Sequence, residues 1–144
     1  MDKADRAVSS FKEGFNCSQS VLSSYSALFG LDHELALKIA QAFGGGMARM
    51  GKTCGAVTGA FMVIGLKHGK VQAEDEGAKE KTYEIVREFV KRFKSLHGSI
   101  MCKDLLGYDL DIPEEREEAE EKQICETRCP EFVKNAVEIL GKLL

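Results

Sequence analysis

Five cysteines are the residues of this 144-residue sequence whose type and spacing could do chemistry: Cys17, Cys54, Cys102, Cys125 and Cys129. A thiolate sulfur attacks electrophiles, forms disulfides and ligates soft metal ions. The N-terminal residues lack the apolar run of a signal peptide, which predicts a cytoplasmic protein whose thiols stay reduced. An odd number of cysteines also fits a set of structural disulfides poorly. The cysteine content therefore predicts redox or metal chemistry, whereas inert, buried packing of the cysteines is the competing interpretation.

Capping signals predict that four of these cysteines lie in the first turns of helices. Asn16, Thr53 and Ser99 are cap-forming residue types that shortly precede three of the cysteines. Pro130 is typical of a first helical position, which would make Cys129 a cap residue. Unpaired N–H groups and the positive end of the helix dipole favour a thiolate at such places. Cysteines in these positions are the reactive and metal-binding ones.

The segment around Cys54 carries the densest signal. Gly55 and Gly59 are four residues apart and so share one helix face, where they leave the backbone bare. Glycine in a helix interior costs about 1 kcal/mol relative to alanine, which requires a compensating reason. Either a cofactor or second sulfur approaches this face, or another helix packs closely against it. The positive end of the helix dipole and the charge of Lys52 favour a thiolate at Cys54, and the bare backbone at Gly55 gives access to it. We therefore predict that Cys54 is the most reactive thiol.

Residues 46–53 match the phosphate-loop pattern of nucleotide-binding proteins letter by letter. That loop functions after a β-strand, whereas residues 34–43 have the apolar periodicity of an amphipathic helix. We therefore do not expect this segment to bind a nucleotide.

Helical periodicity, caps and glycine stops predict an all-α fold, a compact single-domain bundle over residues 1–144 with roughly five to seven helices. The run Ala60–Ile64 is rich in β-branched residues, but no turn signal separates it from the preceding helical segment, so helix is favoured there too. A long helix is predicted from about residue 73 to 96. Its apolar stripe consists of Tyr83, Val86, Val90 and Phe93. A terminal helix is predicted to follow Cys129, which makes it doubtful that one helix carries both Cys125 and Cys129.

Composition excludes several classes of function. The formal net charge is −3, which argues against a nucleic-acid-binding surface. No apolar run approaches the roughly 18 residues of a membrane-spanning helix. No two cysteines form the closely spaced pair of a zinc ribbon or a thioredoxin-type site. A homo-oligomer is compatible with the sequence.

Several ordered motifs give the sequence a resemblance to a known family. They are Phe15-Asn16-Cys17-Ser18-Gln19, Gly44-Gly45-Gly46-Met47, Cys54-Gly55-Ala56-x-x-Gly59, Cys102-Lys103-Asp104-Leu105-Leu106-Gly107 and Cys129-Pro130. Over nearly the whole chain they resemble the redox-active proteins labelled C_GCAxxG_C_C, although that label has Gly-Cys-Ala where this chain has Cys-Gly-Ala. The resemblance assigns the family cysteines to Cys17, Cys54, Cys102 and Cys129, and Cys125 is additional. It implies a redox class and no particular reaction.

Two kinds of redox chemistry remain open at these four cysteines. Thiolates from distant helix starts can hold an iron–sulfur cluster, and zinc is the less favoured metal. Alternatively, Cys54 and one partner form a reversible disulfide. Gly55 and Gly59 would then be the bare surface beside the cofactor or second sulfur. The expected partner is a redox protein or a small thiol. The alternative outside redox chemistry is a helical binding or structural protein with inert or zinc-binding cysteines.

Overall fold

The computed structural model describes all residues, 1–144, and contains eight α-helices joined by short connections and no β-strand. The helices are α1 (Lys3–Glu13), α2 (Cys17–Ser26), α3 (His33–Ala40), α4 (Gly55–His68), α5 (Glu76–His97), α6 (Cys102–Leu106), α7 (Pro113–Glu121) and α8 (Ile124–Leu143). The all-α prediction is confirmed, including helix over Ala60–Ile64. The predicted number of helices was slightly low, because short segments such as α6 form separate helices. None of the helices combines the length and apolar content needed to cross a membrane.

Local capping explains where the first three helices begin. The Asp2 carboxylate accepts a 2.8 Å hydrogen bond from the Asp5 N–H at the start of α1. Asn16 and Gln19 form a reciprocal capping box at the start of α2, with both hydrogen bonds 2.9 Å long. Asp32 accepts from the backbone of α3 in the same way. Side chains close in sequence thus satisfy backbone N–H groups that have no partner within the helix, so local sequence determines where these three helices begin.

Helix α4 is the centre of the fold and packs most closely against α2. Its residues Gly55–Ala60 are all buried, as expected of a helix that is surrounded by others. A Cβ atom on Gly55 would lie 2.9 Å from the Ser18 backbone nitrogen, and one on Gly59 would lie 2.9 Å from the Ser18 carbonyl oxygen. Close helix–helix packing is therefore one reason for both glycines.

Helix α5 covers one side of α4 with a different stripe from the one predicted. Asp75 caps it, and its buried residues are Ile85, Phe89 and Phe93, spaced four apart. Tyr83, which we expected in the apolar stripe, is 55% exposed. Phe93 belongs to both stripes, and Val86 and Val90 are half-buried beside the buried residues, so the predicted stripe is displaced by part of a turn from the buried face.

Helix α8 begins earlier than predicted. We expected it to start at Pro130, but it runs from Ile124 to Leu143 with Pro130 inside it. Proline lacks an N–H, so the Glu126 carbonyl has no helical hydrogen-bond donor there. The buried face of α8, which includes Phe132 and Val133, packs into the core and holds the helix together despite this loss.

Residues 45–49 form a left-handed turn, in which every φ angle is positive. Three of these residues are not glycine: Met47, Ala48 and Arg49 have φ angles of 69°, 51° and 66°. Left-handed backbone costs roughly 1–2 kcal/mol for each such residue. The Lys52 N–H closes the turn by a 2.9 Å hydrogen bond to the Gly46 carbonyl. A short 3₁₀ helix, Gln41–Phe43, precedes this region, so the strand required by the phosphate-loop pattern is not there.

Candidate functional site

All five cysteines line one cavity of about 590 Å³. Cys17, Cys54 and Cys102 come from the starts of α2, α4 and α6, while Cys125 and Cys129 come from the first and second turns of α8. All are free thiols, and four are buried while Cys125 is half-buried. The fold therefore brings the four cysteines predicted as a site to one place, and it adds the fifth.

Cys17 and Cys54 lie side by side at the start of neighbouring helices. Cys17 is the first residue of α2, directly after the N-cap Asn16. Cys54 is the N-cap of α4, one position before the predicted first turn, and its N–H donates a 2.8 Å hydrogen bond to the Ile100 carbonyl. Its exposed fraction is only 4%, so the access that we expected for Cys54 is largely missing. Gly55 also lines the cavity, whereas Gly59 faces α2 outside it.

Cys102 is fixed from two directions. Its N–H donates a 2.6 Å hydrogen bond to the Lys52 carbonyl, which ties α6 to the segment that follows the left-handed turn. A Cβ atom on Gly46 would lie 2.6 Å from the Cys102 Cβ, so no larger residue fits at position 46. Arg128 of α8 donates 2.8 Å and 3.4 Å hydrogen bonds to the last two carbonyls of α6. Burial raises the pKa of the Cys102 thiol to about 12, so Cys102 is held as a protonated wall of the cavity.

Cys125 and Cys129 are one turn apart on α8, which corrects two expectations. Pro130 does not separate them onto different elements, and Cys129 is not a cap residue. The positive end of the α8 dipole acts mainly on the first turn, so it contributes little at Cys129. The electrostatic environment of Cys129 comes instead from its neighbouring thiols.

Two neighbouring thiols stabilise a negative charge on Cys129. Hydrogen bonding from Cys125, and next from Cys17, lowers the pKa of Cys129 to about 5, against the opposing effects of burial and Glu126. Hydrogen bonding to Cys129 raises the pKa of Cys125 far above its ordinary value. The pKa of Cys17 is also raised well above its ordinary value, by hydrogen bonding with Cys129 and then Cys54 and by burial. Within the cluster, hydrogen bonding thus favours a negative charge on Cys129 over one on Cys125 or Cys17.

The thiols have the right chemistry for an iron–sulfur cluster or zinc, but their arrangement does not fit either. No group of three or more histidine, cysteine, aspartate or glutamate side chains is arranged to hold a metal ion. Cys17, Cys54, Cys102 and Cys129 share the cavity without converging as ligands of one centre. We therefore derive no step through a metal.

Four charged residues around the cavity had no signal in the sequence that pointed to the site. They are Arg49 from the left-handed turn, Arg116 and Glu120 from α7, and Glu126 from α8. None of these side chains is in a salt bridge, whereas the four salt bridges of the molecule lie elsewhere. Only the tertiary structure places them beside the cysteines.

The comparisons with known proteins agree with a redox class. No curated protein and no solved structure matches the chain. One family model, described as "Putative redox-active protein (C_GCAxxG_C_C)", matches residues 15–143, which includes all five cysteines and almost the entire helical fold. The resemblance predicted from the ordered cysteine motifs is thereby confirmed, and the chain belongs to the C_GCAxxG_C_C family of redox-active proteins.

Proposed function

We propose that this chain is a thiol–disulfide redox protein in which Cys129 is the attacking thiolate and Cys17 is the resolving thiol. The observation that supports this most is the grouping of five free thiols around one cavity, with Cys129 between two thiol donors. A nucleophilic cysteine needs a stabilised thiolate and a path for its substrate. Cys129 lines the cavity and has a lowered pKa, so it replaces Cys54 as the residue expected to react first.

The reaction consumes one small disulfide and two protein thiols. The Cys129 thiolate attacks one sulfur of the substrate disulfide, its S–S bond breaks, and the first product leaves as a thiolate that takes up a proton. The Cys17 thiol then loses its proton and attacks the Cys129 sulfur of the mixed disulfide, which expels the second product thiolate. The balance is one protein dithiol plus one disulfide giving one protein disulfide plus two small thiols. The protein is oxidised by two electrons and the substrate is reduced by two.

Helix geometry favours Cys17 over Cys125 as the resolving residue. Residues four apart on a regular helix have Cβ atoms about 5–6 Å apart. A disulfide needs Cβ atoms about 3.5–4.5 Å apart, so a bond between Cys125 and Cys129 would distort α8. Cys17 approaches from a different helix and has no such constraint. Cys125 is then the thiol that stabilises the attacking thiolate without being consumed.

An iron–sulfur cluster or another metal is the alternative that the cysteine motifs suggest. Cys17, Cys54, Cys102 and Cys129 would be its ligands, but they are not arranged as one ligand set. The thiol proposal needs no convergence of three sulfurs and is therefore better supported. Anaerobic purification with iron, zinc and sulfide analysis tests the alternative, since a stoichiometric metal with loss of binding in single-cysteine variants would contradict the thiol mechanism.

The main test is a single-turnover reaction of the fully reduced, metal-free protein with hydroxyethyl disulfide under anaerobic conditions. Mass spectrometry should show the loss of two hydrogens from the protein and a peptide linked between Cys17 and Cys129. The Cys17→Ala variant should stop at a mixed disulfide on Cys129, and Cys129→Ser should not react at comparable rate. Cys102→Ser is the matched control and should still form the linked peptide. A mixed disulfide that forms first on Cys54, or no protein disulfide at all, would contradict the proposal.

A further inference from the structure

The charged residues around the thiol cavity suggest the class of substrate. Arg49, Arg116, Glu120 and Glu126 are the only ionised side chains, apart from the thiolate, among the residues that line it. Two are positive and two are negative. Thus the cavity presents both signs of charge next to a redox-active sulfur.

These four side chains are free to bind a ligand. None of them forms a salt bridge or a side-chain hydrogen bond with the protein, although Arg116 and Glu120 are one helical turn apart on α7. Arg128 provides a contrast, because its guanidinium is engaged by the carbonyl groups of α6. Guanidinium groups bind carboxylates through paired N–H donors, and carboxylates bind ammonium groups.

The backbone at Arg49 is an independent observation. Arg49 has a φ angle of 66°, a left-handed conformation that glycine adopts without strain. Its side chain lies over Gly45, because a Cβ atom there would be 3.0 Å from the Arg49 Cγ. Both residues line the cavity. Backbone strain of this kind is concentrated at functional sites, and here it occurs at a charged residue of the cavity wall.

We propose that the cavity binds a zwitterionic amino-acid disulfide, of which cystine is the simplest example, with Arg49 and Arg116 holding carboxylates and Glu120 and Glu126 holding ammonium groups. This inference rests on the thiol–disulfide function proposed above and defines its substrate. Transfer of electrons from the protein dithiol to cystine gives two molecules of cysteine and leaves the protein disulfide. Phe11, Leu105 and Leu110 supply apolar wall for the S–S and methylene groups between the charged ends.

The test compares four disulfides that differ in charge: cystine, cystamine with only ammonium ends, dithiodipropionate with only carboxylate ends, and neutral hydroxyethyl disulfide. Single-turnover rates with the reduced full-length protein are each divided by the rate of the same disulfide with dithiothreitol, which removes differences in intrinsic reactivity. Cystine should then react at least tenfold faster than any of the other three. If cystamine or dithiodipropionate equals cystine, the site recognises one sign of charge and the zwitterion proposal is overturned.

Variants assign the recognition to particular residues. Arg116→Ala and Arg49→Gly should each lower the ratio of the cystine rate to the hydroxyethyl disulfide rate about tenfold, and Arg49→Lys should restore part of the loss. Arg49→Gly also removes backbone strain, so a folding defect does not confound it. Arg87→Ala on the exposed face of α5 is the matched control and should behave like the unmodified protein. Equal cystine rates in all of these variants would overturn the assignment of the arginines.

The experiments distinguish a failure of the thiol–disulfide reaction from a failure of cystine recognition. If the protein reduces hydroxyethyl disulfide but does not prefer cystine, the substrate inference is wrong and the thiol function stands. Calorimetry with the Cys129→Ser variant measures cystine binding without reaction. Binding that is lost in Cys129→Ser/Arg116→Ala supports the inference even if turnover is absent, whereas no binding in either variant overturns it.

Discussion

Replacement of Cys125 by alanine should raise the pKa of Cys129, because it removes the first of its two thiol donors. A hydrogen bond to a charged group contributes about 1.5–3 kcal/mol. Since one pKa unit corresponds to about 1.36 kcal/mol, the loss should raise the pKa by about one to two units. Starting from about 5 in the unmodified protein, the Cys129 pKa should therefore reach about 6–7 in Cys125→Ala.

The assay is the rate of alkylation of Cys129 by iodoacetamide across a pH series, followed by mass spectrometry of the Cys129 peptide. A rate at one pH would be misleading. A thiolate of higher pKa is intrinsically more nucleophilic, with a Brønsted coefficient of about 0.4–0.5 for thiol–disulfide exchange. At pH 6 this gain can nearly cancel the smaller thiolate fraction of the variant. The midpoint of the pH profile is free of this cancellation, and it reports the pKa directly.

Two variants serve as controls for this shift. Cys125→Ser keeps an O–H donor at the same position, and its midpoint should lie closer to that of the unmodified protein. Cys102→Ser changes a thiol of the same cavity that does not donate to Cys129, so its midpoint should not move. A Cys125→Ala midpoint that coincides with that of the unmodified protein would refute the assignment of Cys125 as a donor. The reasoning would also fail if Cys129 had an ordinary thiol pKa before any substitution.

Three further predictions concern packing, protonation and redox potential. Gly59→Ala should lower the free energy of unfolding, measured in urea, by about 1–3 kcal/mol because the added methyl group overpacks against α2. Gly65→Ala has no neighbour within 4 Å of the added Cβ and should raise the free energy of unfolding by up to about 1 kcal/mol. Equal effects of the two substitutions would contradict the packing interpretation. Cys102, with its pKa raised to about 12, should resist iodoacetamide at pH 9 in the folded protein, and rapid labelling there would contradict its burial. Cys125→Ala should make the protein disulfide more reducing by about 30–50 mV at pH 7, measured against glutathione, because about 1.3–2.3 kcal/mol of thiolate stabilisation is lost from the reduced state.

The sequence predicts the helices best where both ends carry local signals. Asp2, Asn16 and Asp32 cap their helices through residues three positions away, so a short stretch of sequence contains the whole interaction. Gly14 and Gly30 end the first helix and the 3₁₀ extension of the second with positive φ angles, as glycine stops predict. Cys17 follows the cap Asn16 as predicted, whereas Thr53 and Ser99 are not caps: Cys54 is the N-cap of α4 and Met101 that of α6, and neither helix has a side-chain cap.

The start of α8 could not be predicted from local signals. Pro130 is typical of a first helical position, yet the helix continues through it because the core contacts of later residues, such as Phe132 and Val133, stabilise the whole element. The preference of proline for the first helical position was thus outweighed by tertiary packing. The consequence for the site is large, since it places Cys125 on the same helix as Cys129. The resemblance leaves Cys125 outside the four family cysteines, and its proposed role depends on this position next to Cys129.

The left-handed turn and the charged lining of the cavity could not be predicted from the sequence either. Glycines at 44–46 indicate an unusual backbone, but nothing in the local pattern shows that Ala48 and Arg49 continue it. The close contact between Gly46 and Cys102 joins residues more than fifty positions apart. The sequence gives the number and order of the thiols, whereas their charge and access depend on contacts between α2, α6 and α8.

Cys125 shifts the reduction potential of the proposed couple between Cys17 and Cys129. A disulfide between Cys17 and Cys129 removes the thiolate that Cys125 stabilises, so oxidation loses a charge-assisted hydrogen bond that the reduced state has. The reduced state is therefore favoured, and the couple is more oxidising than one made of two ordinary thiols. Because Cys125 is poorly placed to bond with Cys129 on the same helix, it exerts this effect without competing as a resolving thiol. Three of the five cysteines thus have roles in the proposed chemistry: Cys17 and Cys129 exchange electrons, and Cys125 determines how readily they do so.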